Sequence, residues 1–234
     1  METGNLYNFI EKEKFEKIVK KLSSEYQVIL KRFDFFKNRI DPFSALAQMF
    51  FQDRDFDSWE IVERDRQLQK SLQNKIGDFH QNLIANMTGW KEAPKIGDAI
   101  NEEKKMIVEV KNKYNTEKGE KKAKVYDNLA TLLKDKKYSD YKAYYLYIIR
   151  KGEFVNKPFE PSDNQTKSRR KKREDIREID GISFYTLVTD DKLFLKKIYI
   201  EMFNVLKEVS GKSNLGDKIK GDDRFEEYFD KTFN

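Results

Sequence analysis

The chain contains no cysteine in 234 residues. Disulfides, thiolate zinc sites and a cysteine nucleophile are therefore excluded. Histidine is nearly as scarce, with His80 the single example. No multi-histidine centre can form, which leaves oxygen ligands and hard ions such as Mg²⁺ as the natural metal chemistry. No apolar stretch approaches the ~18 residues that a membrane-spanning helix needs. The start, Met-Glu-Thr-Gly-Asn, carries neither a basic region nor a following apolar one. This predicts no secretory signal and, with the lack of cysteine, a reducing cytoplasmic setting.

Charge is what the chain has in abundance. Lys and Arg total 47 against 41 Asp and Glu, a net charge of +6, and 38% of residues are charged. Such a surface suits a polyanionic partner without requiring one. The length fits one large domain better than two small ones.

The first third reads as helical. Asp41-Pro42 is an N-cap followed by proline at the first helical position, and Phe43, Leu46, Ala47 and Phe50 recur at helical spacing. A second helix is expected from Asp57-Ser58 to Thr88-Gly89, with Trp59, Val62, Leu68, Leu72, Ile76, Phe79, Leu83 and Ile84 as its apolar positions. The period then changes. Ile96 to Ile100 and Met106 to Val110 read as two strands joined by Asn101-Glu102-Glu103-Lys104. Residues 118–134 return to a helical pattern, and AYYLYII at 143–149 reads as a buried strand. Residues 151–176 carry two prolines and a dense basic run, and predict a long flexible or ligand-ordered loop. Gly181-Ile-Ser-Phe-Tyr fits strand or helix equally, Leu193 to Val209 is an amphipathic helix, and the tail through Phe229 suggests another. No internal repeat is present. The order implies an α/β fold, a mixed central β-sheet flanked by helices.

The stretch GDAINEEKKMIVEVKNKYNT, residues 97–116, sets two acids and a lysine against an apolar strand. Alternation puts Ile107, Glu109 and Lys111 on one face and Met106, Val108 and Val110 on the other, core face. With 101–104 as the hairpin loop, Ile100 pairs with Lys105, and Asp98 lies opposite Ile107, one diagonal step from Glu109. Asp98, Glu109 and Lys111 then converge, since diagonal neighbours sit roughly 7–8 Å apart. Asp98 and Glu109, with the carbonyl of Val110, form an oxygen ligand set for Mg²⁺, and Lys111 can stabilise negative charge on a phosphodiester undergoing hydrolysis. The alternative is a solvated hairpin face. Acid-Lys pairs also occur at Glu103, Glu120 and Asp135, but only Glu109 and Lys111 interrupt an apolar strand, where unpaired charge is costly.

EVKNKYNT with its upstream aspartate resembles the PD-(D/E)XK nuclease core. Together with FFKNRIDPFSALAQMFF at 35–51, RQLQKSLQNKIGDFHQ at 66–81 and GISFYTLVTDD at 181–191, the chain resembles the SinI-type family of type II restriction endonucleases. The resemblance implies a PD-(D/E)XK restriction-endonuclease-like core with a helical N-terminal region: helices in 1–90, the nuclease core at about 91–150, and a DNA-contacting loop and C-terminal helices in 151–234. It also implies Asp98 and Glu109 as metal-binding carboxylates and Lys111 as the catalytic lysine. Gly97 stands where the family usually has proline. The resemblance further implies a Mg²⁺-dependent homodimer that cuts both strands of a GGWCC or GGNCC site and leaves 5′ overhangs. A DNA methyltransferase acting on the same site would complete a restriction-modification system.

Further candidates each have a plainer alternative. Glu63, on the helix before the hairpin, is a candidate metal ligand or water-orienting group, or else a surface acid. His80 and Gln81 are candidates for supporting the site, against a packing or capping role. Lys113, Asn115 and Thr116 follow the catalytic strand and suit DNA contacts or turn chemistry. Lys167, Arg169, Arg170, Lys171, Lys172 and Arg173 suit phosphate contacts, and arginine is the commonest reader of guanine in the major groove. Tyr144, Tyr145 and Tyr147 read as core. The rival functions are a structure-selective DNA repair nuclease and a non-catalytic DNA-binding protein whose acids form ion pairs only.

Overall fold

The computed structural model describes residues 5–163 and 168–233. Helix α1 spans Lys12–Lys31, α2 Pro42–Phe51 and α3 Phe56–Ala85. α2 begins where the sequence indicates, with the Asp41 carboxylate accepting from the N–H groups of Phe43 and Ser44 at 3.0 and 3.3 Å. α3 starts slightly earlier than expected. Asp55 is its cap, accepting from the Ser58 N–H at 2.9 Å, because the aspartate three residues before a serine satisfies an otherwise orphaned donor. The helix is ~45 Å long.

Strands β1 (Trp90–Glu92), β2 (Ala99–Asn101) and β3 (Met106–Lys113) follow, then α4 (Gly119–Leu132) and β4 (Lys142–Ile149). Beyond them come β5 (Asn156–Pro158), β6 (Ser162–Asp163), β7 (Ser168–Arg169) and β8 (Ile176–Asp180), and then α5 (Gly181–Thr189), α6 (Phe194–Ser210), α7 (Ser213–Lys220) and α8 (Arg224–Phe233). One six-stranded sheet has the order β1-β2-β3-β4-β8-β5. β3, β4 and β8 are parallel to one another, and the remaining neighbours are antiparallel. This is the mixed sheet of an α/β fold, as expected.

Both faces of the sheet are buried. Met106, Val108, Val110, Leu146 and Ile148 pack with Phe15, Phe79, Leu83, Phe184 and Phe194 from the helices on one side. Ile107, Tyr145 and Tyr147 pack with Tyr126 and Leu129 of α4 on the other. A one-sided core for β3 is thus corrected: Ile107 is only 1% exposed. The continuous apolar run of β4 is explained by cover on both faces, and Tyr144, Tyr145 and Tyr147 are core.

The described residues within 151–176 are also corrected, from loop to short strands. β5 closes the sheet as an edge, where Pro158 removes no needed donor, and β6 pairs with β7 in a separate two-stranded ribbon. Phe159 then stacks on Tyr145 with ring centroids 4.6 Å apart, which fixes the segment to the core. Gly181 opens a helix. Asp180 caps it through the Ser183 N–H at 3.0 Å, and a Cβ on Gly181 would meet the Ile148 carbonyl at 2.6 Å, so glycine lets the helix start hard against β4. Among the described residues, no helix is long and apolar enough to cross a membrane.

Candidate active site

The chain enters β2 through Gly97, whose φ is +85°. A Cβ there would lie 2.8 Å from Ile107 Cγ2 and 3.1 Å from the Val108 carbonyl. Proline, with φ fixed near −65°, cannot adopt this conformation. Glycine here therefore lets the backbone turn close against β3 and deliver Asp98.

The hairpin register differs from expectation. Ile100 pairs with Ile107 and Ala99 with Val108. The loop is therefore 102–105, with Lys105 at φ +52° and the Asn101 side chain accepting from the Lys104 N–H at 2.8 Å. An even shift leaves each side chain on its face. Its consequence is that Asp98 comes abreast of Glu109 instead of Ile107. The Asp98 N–H donates to the Val108 carbonyl at 2.7 Å, and its carboxylate accepts from the Val110 N–H at 2.6 Å.

Lys111 Nζ donates to Glu109 Oε1 at 2.7 Å and lies 3.6 Å from Glu117 Oε1. The three side chains are 17–19% exposed, so these charges meet at the margin of the core. Burial pushes the Asp98 carboxyl up to about 6, and the neighbouring Glu109 charge adds to the effect. Burial pulls Lys111 down, but its hydrogen bond to Glu109 and the charges of Glu109, Glu117 and Asp98 outweigh it and hold the ammonium above its ordinary value. Three carboxylates against one ammonium leave an excess of negative charge, which a divalent cation would offset.

The donor set fits a hard cation. Asp98, Glu109 and the Val110 carbonyl supply oxygen only. Among the described residues, no group of three or more His, Cys, Asp or Glu side chains is gathered to hold a metal, so a third protein oxygen for an ion beside Asp98 and Glu109 would be a main-chain carbonyl such as that of Val110. Gln81, near the C-terminal end of α3, places its amide 3.4 Å from that carbonyl. Gln81, Asn82, Glu92, Gly97 and Asp98 line a hollow of about 220 Å³.

Other candidates are dispersed. Glu63 stands eighteen residues before Gln81 on α3, ~27 Å along the helix, and its carboxylate is held by Arg66 at 2.6 Å and Gln67 at 2.9 Å. It does not join the cluster, because a straight helix carries it out of reach. His80 is not among the contacts of Lys111; it lines a cavity of about 400 Å³ with Asn112, Ile148, Leu195 and Phe229, its ring 5.2 Å from that of Phe79. Thr116 performs turn chemistry, accepting from the Lys113 N–H at 3.2 Å and donating to its carbonyl at 2.7 Å. Asn115 is exposed and Lys113 half-buried.

The basic run divides. Arg170 is held by Asp127 through two hydrogen bonds of 2.8 Å and lies 3.1 Å from Asp163. Arg173 is paired with Asp175 at 2.5 Å. Arg169, Lys171 and Lys172 are exposed, Lys172 within 3.5 Å of Glu174. Lys167 lies outside the described residues.

Sequence reasoning missed Glu117 and Glu92. Glu117 precedes α4 in a polar string, and neither periodicity nor motif spacing distinguishes it. Its role emerges only through contact with Lys111 and the hydroxyl of Tyr145, 3.4 Å away.

The profile of the Eco47II restriction endonuclease family matches residues 7–210. The chain is similar to the type II restriction enzyme Eco47II of Escherichia coli, with 37% identity over 205 residues that cover 83% of this chain and 84% of that protein. It is also similar to the type II restriction enzyme Sau96I of Staphylococcus aureus, with 28% identity over 206 residues, 84% of this chain and 78% of that protein. The matched span contains the whole Asp98, Glu109 and Lys111 cluster, and the chain belongs to the Eco47II restriction endonuclease family, as a type II restriction endonuclease.

Proposed function

We propose that this restriction endonuclease is Mg²⁺-dependent and hydrolyses one phosphodiester in each strand of duplex DNA at a short palindrome of the GGWCC or GGNCC class, leaving 5′ overhangs. Within the type II enzymes it would fall in the SinI-type group. The whole chain would act as one endonuclease domain, two copies would face the two strands, and a methyltransferase would protect the same site in host DNA.

The observation that carries this reading is that the Asp98 carboxylate, which accepts from the Val110 N–H at 2.6 Å, comes within electrostatic reach of the paired Glu109 and Lys111. Asp98, Glu109 and the Val110 carbonyl would hold the metal. Mg²⁺ bound there supplies a Lewis acid that offsets charge on the scissile phosphate and acidifies a water ligand. Lys111, kept charged by its acidic neighbours, faces the charge that develops on the phosphoryl oxygens and stabilises it in place, without the reorganisation that bulk water would need. Glu117 orients Lys111 from its other side, and Gln81 steadies the Val110 carbonyl. Arg169, Lys171 and Lys172 reach for the DNA backbone, while Arg170 and Arg173 brace the segment that carries them. Lys113, Asn115 and the turn closed by Thr116 form the edge nearest the phosphate.

The test is digestion of an unmethylated phage genome with Mg²⁺, followed by sequencing of the ends. Discrete fragments with identical protruding 5′ ends at one palindrome are expected. Cutting confined to junctions or mismatches, or no cutting, overturns the proposal.

A further inference from the structure

Helix α2 is apolar on nearly every side. It buries Ala45 and Met49 against Trp59 of α3, with the Trp59 indole donating to Gln48 Oε1 at 3.0 Å. The opposite face, Phe43, Leu46 and Phe50, follows the helical period and is bare, and Phe51 flanks it. Phe43 is 84% exposed, Leu46 51%, Phe50 76% and Phe51 88%. Phe56 on the first turn of α3 is 68% exposed. Leu46, Phe50 and Phe56 line one depression of about 350 Å³, so the stripe and the α3 end are continuous.

We infer that this surface is where a second copy of the same chain docks. At about 200 Å² for a fully exposed phenylalanine, the five side chains present roughly 700 Å² of apolar area. That is more than an isolated soluble protein usually shows to water, and it approaches the ~800 Å² that each partner contributes to a standard interface. Exposed Phe43 and Phe51 beside the depression that Leu46, Phe50 and Phe56 line let each copy offer both knob and hole to a two-fold contact. The charges at the rim agree. Asp53, Arg54 and Asp55 line the depression, and Asp41 and Asp57 stand beside it. Both signs within one rim can pair across a two-fold axis, and the excess of carboxylates over the single Arg54 makes it a poor surface for DNA. α3 then joins the interface to the cluster that Gln81 touches, ~37 Å along the helix from Phe56. The inference rests on the proposed two-fold action on a palindrome and supplies the surface for it.

Sedimentation of the full chain, alone and on cognate duplex, tests this. Wild type is expected at twice the 28.0 kDa chain mass, and F43E/F50E at the single-chain mass with unchanged circular dichroism and thermal midpoint. Since both side chains are exposed, no core is disturbed. As a second measurement, F50C introduces the chain's single cysteine, and oxidative cross-linking of that variant should join two copies. A monomeric double variant that nicks plasmid before linearising it supports the inference. A double variant that remains dimeric, or a wild type that stays monomeric on DNA, overturns it. These outcomes are separable from the catalytic reading, which fails only if the wild-type enzyme, whatever its mass, does not cut.

Discussion

The ammonium of Lys111 is held between the carboxylates of Glu109, at 2.7 Å, and Glu117, at 3.6 Å, one from its own strand and one from the start of α4. The two acids thus hold the lysine from both sides. Lys111→Met should keep the fold and lower the cleavage rate by at least ~10²-fold, the usual loss when a preorganised electrostatic group is removed. Glu117→Gln frees one side of Lys111 and should cost less, on the order of tenfold. Single-turnover cleavage of a cognate duplex measures both, and an unchanged rate in Lys111→Met would remove the lysine from the chemistry.

Metal binding should be visible without turnover. Mg²⁺ or Ca²⁺ binds the folded state and should raise the thermal midpoint, by about 3 kcal/mol of stabilisation at a hundredfold excess over its dissociation constant. In Asp98→Ala and Glu109→Ala the rise should vanish, together with cleavage, while duplex binding persists. A calorimetric scan with and without EDTA decides it. An equal rise in the variants would place the ion elsewhere.

Gly97 sits at φ +85° with β3 against it. Gly97→Ala should destabilise the protein by about 1–2 kcal/mol from the left-handed backbone alone, with more from the clash at Ile107. Gly97→Pro should be worse. Urea unfolding reports the stability. The cleavage rate should fall in parallel, because the same turn positions Asp98.

The basic segment should split by variant. Replacing Arg169, Lys171 and Lys172 together by alanine should weaken DNA binding uniformly across sequences and flatten the salt dependence by about one unit of slope per lost phosphate contact. Arg170→Ala breaks the pairing with Asp127 and Asp163. Its first effect should be increased proteolysis of the segment. Fluorescence anisotropy over a salt series distinguishes the two.

His80 is 8% exposed and its Nδ1 has no hydrogen-bond partner among the described residues. Burial pulls its pKa down to about 4 from 6.5. The folded state therefore keeps the ring neutral while the unfolded chain takes up a proton below about 6.5. Stability should be full above that pH and fall as the pH drops toward 4, by on the order of 3 kcal/mol at most. His80→Leu should lose this dependence, which acid titration of the unfolding free energy at several pH values would detect.

Much of the architecture was legible because it is written in local chemistry. The Asp41-Pro42 start of α2, the 30-residue α3 and the buried run of β4 follow from caps, from the helical period and from continuous apolar sequence. β5 and β8 were not legible. Each is only three to five residues long, and their pairing is supplied by strands far away in sequence. The gathering of Asp98, Glu109 and Lys111 was foreseen for a reason that survives an error of register, since a two-residue slip preserves the face. Glu63 was misplaced because helical sequence carries no information about how far along its axis a neighbour lies.

By itself, then, the sequence determined the chemistry available. It has no thiol, one imidazole, an acid and a lysine interrupting an apolar strand with a second acid upstream, and periodicities that specify helices and a central sheet. Those depend on residue type and on spacing within one element. Only the tertiary structure decided that Asp98 stands abreast of Glu109, that Glu117 reaches back to Lys111, that His80 is turned into the core, and that α2 keeps a bare face. Each of these is a relation between elements, set by how both faces of the sheet are covered.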